Sequence, residues 1–166
     1  MTGIPEIWGP NSPPNWDGPG PVPAAIVGAV TTTTGAEVRR LNPHHWSRAF
    51  GYDQGQLRPA PEYLLTAAGQ GPVDEHGALM HEGDVCAQLS LTMRNVERVL
   101  LAGGMTLADV IRMTVYSTDV DATLAAYGAI TERLAAAGAT PPATLVGVVR
   151  LAHPGMAVEI EVTAAR

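Results

Sequence analysis

Near the C-terminus the run Val158-Glu159-Ile160-Glu161-Val162 alternates apolar and acidic residues. In an extended strand, side chains two apart project to the same side, so Glu159 and Glu161 share one face while Val158, Ile160 and Val162 share the other. Two carboxylates close together in a partly buried cleft can hold one of them protonated near neutral pH, which is the requirement for a general acid or base. The competing structural reading is that both acids pair with a guanidinium such as Arg150. His44-His45-Trp46 offers an imidazole and a stacking indole, although adjacent histidines rarely converge on one metal without a third ligand. His76, His81 and His153 fall in turn-like sequence and are expected to be solvated. Cys86, at the start of a helical pattern, reads as a small packed residue. Arg112 lies on a strand from which it can present a cation.

Composition narrows the chemistry these residues can join. All ten basic residues are Arg, so lysine Schiff-base catalysis and the phosphate-loop lysine are excluded. The net charge of -6 opposes binding to a phosphate backbone, so no nucleic-acid partner is expected. Cys86 is the only cysteine, and no Cys/His cluster has the spacing of a zinc site. A reducing, cytoplasmic setting follows as the expectation. No apolar run reaches the roughly 18 to 20 residues needed to cross a bilayer, so no membrane partner is expected. A length of 166 residues with 46% hydrophobic and 16% charged residues suits one globular domain able to bury a core.

The elements that must position these groups are legible from Phe50 onward. Eight of fourteen prolines and all three tryptophans fall in the first 46 residues. This composition predicts an N-terminal arm over residues 1–41 and a folded domain over 42–166. Within the arm, Ala24–Thr33 and Ala36–Leu41 read as a β-hairpin. Short strands are predicted near Tyr52 and at Tyr63–Ala68. Asp84 caps a helix carrying Val85, Leu89, Met93, Val96 and Leu100 on one face, closed by Gly103-Gly104. A strand at Val110–Ser117 follows, then a second helix capped by Asp121 with Leu124, Tyr127, Ile130 and Leu134 inward. Strands at Thr144–Leu151 and Met156–Thr163 flank His153-Pro154-Gly155 and read as a hairpin. The order predicts an α+β fold, a mixed sheet with two helices on one face. Apolar residues on both faces of the 144–151 strand imply a second copy of the sheet as cover.

The run Pro141-Pro142-Ala143-Thr144-Leu145-Val146-Gly147-Val148-Val149-Arg150-Leu151, with Val158–Val162, resembles the C-terminal signature of the Rid family, the YjgF-like reactive intermediate deaminases. Ala68-Gly69-Gln70, Asn95-Val96, Gly104–Val110 and Val115–Val120 extend the resemblance over roughly residues 42–166. It implies a chorismate-mutase-like homotrimer whose sheets line a central barrel, with small-molecule clefts between subunits. It also implies hydrolysis of imines or enamines without a metal or organic cofactor. Glu159 matches the family's acid that positions water, Tyr52 matches an aromatic at the cleft mouth, and Gly69 lies in a matching segment of the cleft. The carboxylate-binding Arg of deaminating members is replaced by Ala143, a small Cys by Leu145 and a polar Asn by Leu124. Loss of a charge-assisted pair costs about 1.5 to 3 kcal/mol of binding. The resemblance therefore implies a hydrolase with a less polar substrate than amino-acid imines. The alternatives are a non-catalytic ligand- or partner-binding trimer and, weakest, an endoribonuclease.

Overall fold

The structure is a computed structural model that describes residues 37–44 and 46–166. The expected hairpin partner at residues 24–33 lies outside the described residues. Its other half forms β1 (Arg39–Leu41), which pairs antiparallel with β2 (Gly55–Leu57), the strand expected near Tyr52.

A four-stranded sheet makes up the body, from β3 (Leu64–Gln70), β4 (Val110–Ser117), β5 (Ala143–Gly147) and β6 (Val158–Ala165), in the order β3-β6-β4-β5. β6 alternates buried and half-buried residues along its whole length, so Val158, Ile160, Val162 and Ala164 face a helical layer. That layer begins with α1 (Val85–Ala102), whose N-cap Asp84 accepts a hydrogen bond from the Ala87 amide. Leu89, Met93, Val96 and Leu100 of α1 are fully buried against Met113, Val115 and the inward face of β6. Gly104, with φ of 70°, reverses the chain after α1, a conformation glycine adopts without a Cβ penalty.

Three expectations are corrected. The second helix is two segments, α2 (Val120–Ala125) and α3 (Gly128–Ala136), making three α-helices among the described residues. Tight bonds from the Tyr127 amide to Leu124 O and from the Ala129 amide to Ala126 O interrupt the regular ladder between them. Its N-cap is Asp119, which accepts from the Ala122 amide, while Asp121 sits in the first turn. The last two strands are not a hairpin: among the described residues β5 pairs only with β4, in parallel, and β6 lies on the other side of β4. The parallel pair is joined by α2 and α3, the crossover such pairing requires.

The opposite face of the sheet also differs from expectation. β5 ends at Gly147, so Val148–Leu151 are not strand residues. The register places Thr66, Thr114, Thr144 and Thr163 on the open face with Tyr116, Glu159, Glu161 and Arg112, and beside them the exposed Leu64 and the half-buried Val146, so the surface is mixed rather than uniformly apolar. The β5–β6 connection is held by Gln88 of α1, which is fully buried. Its Nε2 donates to Gly155 O and His81 O, and its Oε1 accepts from the Ala157 amide.

Candidate functional site

On the open face, Glu159 lies directly across from Tyr116, and Glu161 across from Thr114. The two acids do share a side, but their surroundings differ. The Tyr116 hydroxyl donates to Glu161 Oε1 at 3.0 Å. That bond is the main reason the Tyr116 phenol is pushed above its usual pKa of 10. Desolvation and the charges of Glu161 and Glu159 add to it, while a bond with Thr114 opposes it. Among the described residues no side chain or amide donates to the Glu159 carboxylate. Glu159 instead lies against Gly69 of β3, where a Cβ would overlap its carboxylate. The β3–β6 register shifts between Ala67 and Gln70, which brings this part of β3 over Glu159. Gly69, exposed on β3, and the half-buried Glu159 therefore lie together on the open face.

Tyr52 lies elsewhere. It follows a short 3₁₀ turn (Trp46–Phe50) and lines a cleft of about 320 Å³ with Arg40, Asn42, Gly51, Asp53 and Thr140. Trp46 meets both Tyr52 and Phe50 edge-on, with ring centroids 6.1 and 6.5 Å apart. Burial raises the Tyr52 pKa, so the phenol stays protonated at neutral pH. The adjacent Asp53 is buried and accepts from Asn42 Nδ2 (2.6 Å), Thr140 Oγ1 (2.7 Å) and Gln56 Nε2 (2.8 Å), with Arg40 Nε at 3.7 Å. Desolvation alone would raise the Asp53 pKa; the bonds from Thr140, Asn42 and Gln56 and the charge of Arg40 outweigh it and hold the carboxyl below its ordinary range.

Ala143 and Leu145 pair with Met113 and Val115 and pack half-buried against the core on the helical side. Leu124 is exposed on α2. Within one chain the structure thus brings Gly69 to Glu159 and keeps Tyr52, Ala143, Leu145 and Leu124 on other surfaces. Arg112 is exposed two positions along β4 from Thr114, and Arg150 lies outside the strands; neither forms an ion pair among the described residues. His44 is exposed and its carbonyl accepts from Gln54 Nε2, while His45 lies outside the described residues. His76, His81 and His153 are exposed as expected. Cys86 is also exposed, a correction: it falls on the outward side of α1 with Arg94, two helical turns along, rather than in the core. Sequence reasoning missed Tyr116 and Asp53. Only the cross-strand register, and the Thr140 contact 87 residues away, single them out.

The chain matches the family model described as endoribonuclease L-PSP over residues 49–166. The chain belongs to that family. Its members among solved structures include the Rid and YjgF proteins. A conserved Rid-family protein, YyfB of Yersinia pestis, is 31% identical with a TM-score of 0.67, over 78% of this chain and 98% of that one. TdcF of E. coli, solved with bound serine, is 30% identical with a TM-score of 0.57, over 69% of this chain and 87% of its own. Protein DfrA of Myxococcus xanthus is 34% identical over 75 residues, 45% of this chain and 52% of that protein, so the chain spans about half the length of this curated relative. The endoribonuclease L-PSP fold, a mixed sheet backed by helices, is the one described above. At the level of the family, membership supports a role in processing small-molecule intermediates. Among the described residues, no helix is long and apolar enough to cross a membrane.

Proposed function

We propose that this protein is a hydrolase of reactive imines or enamines, working as a cytoplasmic homotrimer without a metal or organic cofactor. Glu159 positions and deprotonates a water that adds to the C=N carbon. The carbinolamine so formed releases ammonia and leaves a carbonyl, returning the proton to the departing nitrogen. The observation that carries this reading is the pairing of a free Glu159 carboxylate with Gly69, beside a Glu161 already occupied by Tyr116. Neighbouring copies are the natural source of the remaining cleft residues, Tyr52, Ala143, Leu145 and Leu124, because one chain keeps them apart from Glu159. With Ala143 and Leu145 in place of polar groups, the substrate is less polar than amino-acid imines.

The absence of a cation at Ala143 favours one second reading, a trimer that binds a small ligand without turning it over. An endoribonuclease is the weakest reading, since the open face carries Glu159 and Glu161 in a chain of net charge -6.

The deciding experiment follows ammonia and keto-acid release from imines generated in situ by an amino-acid oxidase, across aliphatic and aromatic side chains. Acceleration lost in Glu159→Ala, with assembly unchanged by light scattering, is expected. Acceleration retained in the variant removes Glu159 from the mechanism, and saturable ligand binding without turnover leaves the binding protein.

A further inference from the structure

A second cleft lies on the helical side of the molecule, away from Glu159, between α1 and the loop that precedes it. The loop is a built structure. Val73 and Leu79 form an antiparallel bridge, and the Met80 amide donates to Pro72 O at 2.8 Å. Asp74 Oδ1 closes the tip by accepting from the His76 and Ala78 amides, both at 2.9 Å. The loop is pinned to the helix by Asn95, whose Nδ2 donates to Gly71 O and Val73 O at 2.9 Å. Gln88 fixes its far end through His81 O. His81 carries a φ of 58°, the one non-glycine residue with positive φ among the described residues, and it lines the cleft.

The cleft encloses about 270 Å³, near the lower end of small-molecule sites. Its apolar floor is Leu91 and Met80. Arg94 and Arg98, one turn apart on α1, line one side, and Asp74 and Glu75 line it from the loop. Arg98 is steadied by donating to Asn95 Oδ1 at 3.1 Å. Two cations and two carboxylates thus line one cavity, yet among the described residues no ion pair joins them; Glu75 meets only His76, at 3.6 Å. Opposite charges lining one cleft beside Leu91 and Met80 match a ligand that carries both charges and a short apolar body.

We infer that this cleft binds a zwitterionic α-amino acid with an apolar side chain. The ligand carboxylate meets Arg94 and Arg98, its ammonium meets Asp74 and Glu75, and its side chain covers Leu91 and Met80. A guanidinium pair suits the carboxylate because its planar donors engage both oxygens. The charged groups are exposed, so each contact is weak, and a Kd of about 0.1 to 1 mM is expected. The site is independent of the imine-hydrolase reading.

Calorimetric and amide-resolved NMR titrations of the full chain with L-leucine, L-leucine methyl ester and N-acetyl-L-leucine test it. Leucine is expected to bind saturably and move the amides of residues 73–82 and 91–98. Each derivative, lacking one charge, is expected to bind at least tenfold more weakly. Arg94→Gln and Glu75→Gln, both exposed, are expected to weaken leucine similarly at unchanged melting temperature, and Glu159→Ala is expected to leave it intact. The inference is overturned by no saturation up to about 10 mM, by equal affinity for the methyl ester, or by shifts at Gly69 and Glu159 that vanish in Glu159→Ala.

Discussion

Placing one methyl group on Gly69 separates the geometry of the acidic site from the stability of the fold. A Cβ there overlaps the Glu159 carboxylate, Cδ and Cγ, so Glu159 must turn away in Gly69→Ala. The clash is with the far end of a flexible side chain, and Gly69 sits in strand β3 without a positive φ, so the backbone itself accepts alanine. Reduced freedom of the unfolded chain contributes about 0.4 to 1 kcal/mol in favour of alanine, against roughly 0.5 to 1.5 kcal/mol for an off-rotamer glutamate. The net change lies within about 1 kcal/mol, or less than about 5 °C in melting temperature. Activity responds differently, because misplacing a catalytic group by about 1 Å costs on the order of 100-fold. Imine hydrolysis and thermal unfolding are compared for wild type, Gly69→Ala, Glu159→Ala and the double variant. Gly69→Ala should lose most of the acceleration at near-native stability and add no further loss to Glu159→Ala. Full activity in Gly69→Ala, or additive losses in the double variant, would refute the claim that Gly69 acts by making room for Glu159.

Two further outcomes test the scaffold. Because the folded-state pKa of Asp53 is depressed, its stabilisation is complete above the unfolded value near 4 and is lost as pH falls through the lower folded value. Urea midpoints of wild type and Asp53→Asn should therefore differ at pH 6 and converge toward pH 2, and a gap that does not change with pH counts against this account. Gln88→Ala leaves the Ala157 amide and the carbonyls of Gly155 and His81 without their partner, a loss of about 2 to 4 kcal/mol. Calorimetry should place its melting temperature about 5 to 15 °C lower, and a fall of less than about 2 °C would mean that water replaces the side chain without penalty.

The helices and strands were readable wherever their signal was local. Asp84 and the spacing of Leu89, Met93, Val96 and Leu100 specify α1 within one stretch of chain, and the alternation from Val158 to Val162 orients β6. What no local pattern carries is which strand lies beside which. The apolar run from Thr144 pairs equally well with a neighbour on either side, and His153-Pro154-Gly155 reads as a hairpin turn. The partner is chosen by α2 and α3, which return the chain parallel to β4, and by Gln88, which ties the turn at His153–Met156 to α1 rather than leaving it to join two paired strands. The same limit applies to the mixed open face, since the strand ends at Gly147 and beyond it the Val148 amide makes one last bond to Ser117 O of β4.

The site follows this division. That Glu159 and Glu161 point the same way is fixed by the period of a strand, but period alone treats the two acids as equals. They become unequal through register. Glu161 lies within reach of the Tyr116 hydroxyl, which spends its only proton there, while Glu159 lies under the bulged part of β3 where Gly69 supplies no donor and no side chain. One Glu161 oxygen already accepts the Tyr116 hydroxyl, whereas among the described residues no donor occupies the Glu159 carboxylate, which leaves it open to a water. The assignment of the base to Glu159 thus rests on a pairing between β3, β4 and β6 whose members are separated by 43 to 90 residues in sequence. The second Glu instead accepts the hydroxyl of Tyr116, the residue directly across the ladder from Glu159.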